Sequence, residues 1–154
     1  MTPIPWRSID DRVMGGVSRG MIVANGDGLR FQGVLSRRNN GGFASVRRSI
    51  DADLAGVTSF RLKVRGDGRR YQLRLRTDDD FDGLSWRALF DTGSSSLVVE
   101  LRIEDFEPVF RGRRVDGAGR LDASLIRQIG FLLADGPEGE FWLEVDSVEC
   151  LREI

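Results

Sequence analysis

The 154-residue chain contains no histidine, one cysteine and one lysine. Without an imidazole it cannot build a Ser-His-Asp or Cys-His nucleophile pair, nor a zinc or iron site that needs a histidine ligand. With Cys150 as its one thiol it can form neither an intramolecular disulfide nor a thiolate metal cage, and its cysteine usage does not point to an oxidising compartment. No apolar run approaches the roughly 20 residues of a membrane-spanning helix. Met1 to Val17 lacks the apolar stretch of a secretory signal and carries Asp10 and Asp11. The expectation from these absences is a cytoplasmic protein with no cofactor, no metal and no catalytic residues.

What is present is balanced in charge and rich in arginine. Lys+Arg 23 against Asp+Glu 24 gives a net charge of -1, which argues against a dedicated nucleic-acid binder. Every basic residue except Lys63 is arginine, the cation suited to bidentate pairing with carboxylate or phosphate, although genomic base composition would produce the same bias. A hydrophobic fraction of 40% with 31% charged residues fits a soluble globular chain, and residues 1–154 read as one domain able to bury about 70% of its unfolded surface.

The dominant hydrophobic period is two. Phe60, Leu62 and Val64 alternate with Arg61, Lys63 and Arg65; Tyr71, Leu73 and Leu75 alternate with Gln72, Arg74 and Arg76. Gly66-Asp67-Gly68-Arg69 between them carries turn chemistry, so the spacing predicts a hairpin. Similar alternation around Leu29–Leu35, Phe43–Ile50, Trp86–Phe90, Leu97–Ile103, Ile129–Leu133 and Phe141–Val148 makes about eight short strands. Helical signal is confined to a short turn after Asp122 and to Glu104–Phe110, which Pro108 interrupts. The pattern is that of an all-β sandwich or barrel with at most one or two short helical turns.

Several catalytic or ligand motifs are incomplete. Gly16-Val17-Ser18-Arg19-Gly20 fits a nucleophile elbow, but no histidine exists to activate the serine and no helix follows it. Asp78-Asp79-Asp80-Phe81-Asp82-Gly83 opens like a calcium loop, yet Leu89 stands where the bidentate Glu belongs. An acidic, solvated hairpin is the competing reading of that segment.

Two features remain. A hairpin would present Arg61, Lys63, Arg65, Arg74 and Arg76 on one face, where like charges repel unless acids or an acidic ligand intervene. Arg65, Arg74 and Arg76 are therefore expected as hydrogen-bond donors to a partner or anion, with Trp86 beside them for packing or stacking. The Gly-rich segments around Met14-Gly15-Gly16 and Asn39-Asn40-Gly41-Gly42-Phe43 add Asp11, Met14, Asn40 and Phe43 as rim residues. Each has an internal alternative: Asp11 and Asn40 satisfying loop amides, Met14, Phe43 and Trp86 packing in the core.

Taken in order, several of these segments resemble the complex I intermediate-associated protein 30 family. The stretches are Trp6 with Asp10-Asp11-Arg12-Val13-Met14-Gly15-Gly16-Val17-Ser18, Phe31-Gln32-Gly33-Val34-Leu35, Asn39-Asn40-Gly41-Gly42-Phe43-Ala44-Ser45-Val46-Arg47, Arg65-Gly66-Asp67-Gly68-Arg69-Arg70-Tyr71, Phe106-Glu107-Pro108 with Arg111-Gly112-Arg113, and Ile129-Gly130 through Gly139-Glu140-Phe141. The resemblance implies a galactose-binding-domain-like jelly-roll β-sandwich and a non-enzymatic assembly or chaperone role. It implies a protein partner that is a subunit or intermediate of a respiratory complex. The chain lacks a targeting extension and reads as a stand-alone bacterial-type member. The expected function is a binding module holding a protein partner or an anionic ligand on its arginine face, without membrane insertion. The alternatives are a carbohydrate-binding module, a carboxylate- or arginine-based enzyme, and an RNA binder.

Overall fold

Strand after strand in this chain has one apolar and one polar side, and two such sheets bury their apolar sides by stacking. The structure is a computed structural model in which residues 6–9, 18–26, 28–38, 42–79 and 83–152 are described. Among them are twelve strands: β1 (Arg7–Ser8), β2 (Arg19–Asn25), β3 (Gly28–Leu35), β4 (Ala44–Ser49), β5 (Val57–Gly66), β6 (Arg70–Arg76), β7 (Ser85–Asp91), β8 (Leu97–Arg102), β9 (Glu107–Phe110), β10 (Arg113–Arg114), β11 (Gln128–Leu133) and β12 (Gly139–Arg152). They form a seven-stranded sheet, β1-β4-β11-β6-β7-β9-β10, and a five-stranded sheet, β2-β3-β12-β5-β8. All pairings are antiparallel. This is the expected jelly-roll sandwich.

Both sheets contribute to the core. Phe31 of β3, Tyr71 of β6 and Phe141 of β12 meet at ring separations of 4.9 to 6.4 Å, and Phe90 of β7 stacks on Tyr71. Leu62, Val64, Leu73, Leu75 and Leu143 are fully enclosed around them. Two 3-10 turns, Ile103–Asp105 and Ala123–Leu125, are among the short helical elements of the described residues. Asp122 starts the second as the sequence predicts, its side chain accepting from the Ser124 amide. Glu107–Phe110 is a strand despite Pro108, whose carbonyl still accepts from Val115.

The expected hairpin between Thr58–Arg65 and Arg70–Arg76 does not form. β5 pairs with β12 and β8, β6 pairs with β11 and β7, and the two belong to opposite sheets. Alternation states only that each strand has one dry side; facing another strand across the core, about 10 Å away, satisfies it as well as lying beside one. The connection is built for the crossing. Gly66 packs so closely on Thr92 that an added Cβ would lie 2.6 Å from its Cβ, and the Gly66 amide donates to the Gly93 carbonyl. Asp67 then ties the crossing to both sheets: its carboxylate accepts from the Tyr71 hydroxyl at 3.0 Å and from the Trp142 amide at 2.9 Å. The Tyr71 hydroxyl also lies 2.9 Å from the Trp142 carbonyl. β2 was not anticipated, because Arg19–Asn25 carries no clean alternation. Ser18 before it is fully buried, exchanging hydrogen bonds with the Ser36 backbone at 2.8 and 2.9 Å, so it serves the fold and is no nucleophile.

Removing the phenolic oxygen leaves the half-buried Asp67 carboxylate short of a donor. Tyr71→Phe is therefore expected to cost about 1–3 kcal/mol with the sandwich intact, measured by denaturant unfolding; an unchanged midpoint would show that Asp67 does not hold the crossing.

Candidate functional site

Because β5 and β6 separate, the arginines expected on one face divide between two. Arg61, Lys63 and Arg65 point outward from the five-stranded sheet; Arg74 and Arg76 point outward from the seven-stranded sheet, on the other side of the core. The grouping of Arg65 with Arg74 and Arg76 is thus corrected.

On the five-stranded face, acids of β12 engage three arginines. Glu144 of β12, only 7% exposed, accepts from Arg65 and, at 2.8 Å, from Arg30 of β3. The hydrogen bond from Arg65, followed by that from Arg30 and the attraction of both cations, holds the Glu144 carboxyl below its usual range against the opposing effect of burial. Arg61 lies 3.7 Å from Glu149. Arg30 also stacks over the Trp142 ring at 4.9 Å.

The seven-stranded face differs. In register across it run Arg7, Arg47, Gly130, Arg74, Arg87 and Glu107. Arg47, Gln72, Ser85 and Gln128 on this outward side are each buried, forming a polar floor. Arg74 stands in its middle. Its Nε donates to Gln72 Oε1 and its Nη1 to Ser85 Oγ, both at 2.8 Å. No carboxylate among the described residues pairs with it. Burial, then repulsion from Arg87, Arg76 and Arg47, pushes its pKa down to about 10. Arg76 donates to the Gly83 carbonyl at 3.0 Å, and Arg87 is bound by Glu107 at 2.8 Å. Around Arg74 positive charge therefore exceeds negative on the described part of the face.

Gly130 lets β4 approach β11 closely here: a Cβ would sit 2.6 Å from the Val46 carbonyl and 3.1 Å from Arg47 Cβ. A notch of about 30 Å³ beside it is lined by Arg47, Arg74, Arg76 and Gln128 among others. A larger, shallower concavity of about 500 Å³ lies at the sandwich end beside Val57, Ile103, Arg120 and Leu121. It holds no cluster of metal-ligating side chains, nor is there one elsewhere among the described residues.

Trp86 is 4% exposed and packs inward opposite Leu75 and Pro108, so the packing alternative describes it and the stacking surface does not. Its alternation with Arg87 places it on the core side. Phe43 is half-buried immediately before β4. Asp11, Met14 and Asn40 lie outside the described residues, as does most of the Asp78–Asp82 loop. Sequence reasoning missed Arg47, Arg87 and Gly130. Arg87 alternates with Trp86 and Ala88 and was legible by period; Arg47 and Gly130 needed the pairing of β4 with β11.

Glu144 gives a sign-definite pH dependence. A carboxyl whose folded pKa is lowered stabilises fully above its unfolded value, near 4.3, and loses that contribution as pH falls through the lower folded value. Glu144→Gln should flatten the acid limb of stability below about pH 4.3, monitored by urea unfolding across pH; an unaltered limb would contradict the Arg30–Glu144–Arg65 clamp.

Comparison with known proteins agrees with this architecture. The pattern of the family described as Complex I intermediate-associated protein 30 matches residues 2–145. The mitochondrial complex I intermediate-associated protein 30 of Mus musculus is 30% identical over 120 residues, covering 75% of this chain and 36% of its own length. Its Drosophila melanogaster counterpart is 30% identical over 112 residues, covering 68% and 38%. The chain thus spans little more than a third of these two relatives. An uncharacterized protein of Schizosaccharomyces pombe is 26% identical, covering 95% of this chain and 77% of its own. Among solved structures, a family 11 carbohydrate-binding module from Clostridium thermocellum, in complex with a β-1,3-1,4-mixed-linked tetrasaccharide, superposes with a TM-score of 0.65. It is 18% identical and covers 91% of this chain and 87% of that one, a likeness of fold. No helix among the described residues is long and apolar enough to cross a membrane. On the family match over nearly its whole length, this chain belongs to the complex I intermediate-associated protein 30 family.

Proposed function

We propose that residues 1–154 act as one non-catalytic binding domain that presents the seven-stranded face to an acidic surface of a protein partner. The observation that carries this reading is Arg74: a largely enclosed guanidinium, crowded by like charge, with no carboxylate partner among the described residues. Fields of one sign steer and select complementary partners. The names of the mouse and fly relatives point to the partner class, an intermediate of respiratory complex I. The cytoplasm is retained as the compartment, although those relatives carry mitochondrial names.

The fold likeness favours a second reading, carbohydrate binding. Sugar rings stack on exposed aromatic faces, and the three tryptophans offer little: Trp86 is buried, half-buried Trp142 is covered by Arg30, and half-buried Trp6 packs near Phe131 with Arg48 over its ring. Quenching of tryptophan fluorescence by β-glucan oligosaccharides, together with a glycan array, would establish that reading over the protein-binding one.

The test of the first reading is affinity purification from the native organism with the parent and Arg74→Gln/Arg76→Gln chains, with Arg61→Gln on the opposite face as control. The parent and the control should retain an acidic complex I component that is released as salt rises and the Debye length falls to about 3 Å near 1 M. The double variant, folded by circular dichroism, should recover at least about tenfold less, the equivalent of 1.4 kcal/mol. Equal recovery by all three would refute the assignment of this face.

A further inference from the structure

We propose that the notch over Gly130 seats a single carboxylate, supplied by an acidic side chain of the partner and gripped end-on by Arg74. This deepens the proposed function and rests on it. Gly130 lies in register between Arg47 on one side and Arg74 on the other, and it lines the notch together with both. Glycine is required at this position, since a Cβ would lie 2.6 Å from the Val46 carbonyl.

The hydrogen bonding of Arg74 gives the direction of approach. Its Nε is taken by Gln72 and one Nη1 proton by Ser85, while its Nη2 donates to nothing among the described residues. Those two fixed bonds hold the guanidinium plane and leave its far end, Nη2 with the second Nη1 proton, as the available fork. A planar carboxylate matches that fork with two parallel bonds. Arg47 and Arg76 line the same notch and add positive charge around the incoming oxygens.

Shape favours a carboxylate. The space of about 30 Å³ is that of one or two waters. Two carboxylate oxygens can replace such waters and meet the fork in its own plane, whereas a tetrahedral phosphate carries two further oxygens out of that plane. The bound carboxylate would also offset the repulsion between Arg74 and its three neighbouring guanidinium groups, a gain that an acid on the five-stranded face cannot make because Glu144 is already there.

The experiment is NMR of the full chain, following the Arg74 Nε–Hε resonance during titration with sodium acetate to about 0.2 M, with sodium chloride and sodium phosphate at equal ionic strength. Acetate should produce a saturable shift that chloride does not, and phosphate a weaker one. Arg74→Lys keeps the charge and loses the fork, and the saturable acetate shifts of the Gly130 and Arg47 amides should weaken at least about tenfold in it. Should that variant fail to fold, Arg76→Gln leaves the fork in place; acetate should still saturate the Arg74 signal there, with severalfold lower affinity. No saturable shift in the parent, an equal response to chloride, or stronger binding of phosphate would each overturn the carboxylate seat. If such a result came with partner capture still lost in Arg74→Gln/Arg76→Gln, the notch would be wrong and the binding face right; with capture also unaffected, both would fall.

Discussion

Phe60, Leu62 and Val64 on β5 and Tyr71, Leu73 and Leu75 on β6 have to share one core while belonging to different sheets, and the rest of the molecule is arranged around that requirement. The chain satisfies it within Gly66–Arg70, where a glycine lets the backbone press on Thr92 and Asp67 receives donors from Tyr71 and Trp142. Burying Tyr71 so completely is tolerable because its hydroxyl has Asp67 and the Trp142 carbonyl within reach. Once the crossing is made, every polar residue that alternates with β5 points away from every polar residue that alternates with β6. The placement of the proposed binding face follows from that separation.

The two outward faces differ in how their arginines are paired among the described residues. On the five-stranded side Glu144 draws Arg30 and Arg65 onto itself, and the charges are spent inside the molecule. On the seven-stranded side Glu107 engages Arg87, and Arg74 is left to side-chain amide and hydroxyl acceptors. A guanidinium held by neutral acceptors keeps its full charge available to a ligand, at the cost of desolvation and of repulsion from its neighbours. Titratable groups perturbed in this way cluster at functional sites, which is why the proposed binding face is placed here.

The sandwich was legible because period two is a strong signal in β5, β6, β7 and β12, and because glycine-rich connections separate the strands. The family was legible from ordered short motifs spread along the chain. Which strands are neighbours was not legible at β5 and β6, since a turn-rich connection can either close a hairpin or carry the chain across the core. That single ambiguity misplaced Arg65. Trp86 is the converse case: its strand was recognised, and its alternation with Arg87 already placed it on the core side, where it is 4% exposed. Arg47 and Gly130, more than 80 residues apart, become one feature only through the pairing of β4 with β11.

Membership of the family and a carbohydrate-module-like fold define a scaffold, and the scaffold alone does not choose a ligand. In the function we propose, the choice is made by Arg74, which has no carboxylate partner among the described residues. The most direct measure of it is a pair of double-mutant cycles on unfolding free energy, Arg74→Gln with Arg87→Gln, and Arg65→Gln with Glu144→Gln. The first pair should couple repulsively and the second attractively. Attractive or absent coupling between Arg74 and Arg87 would contradict the account, because it would mean that the charge on this face is already balanced from within.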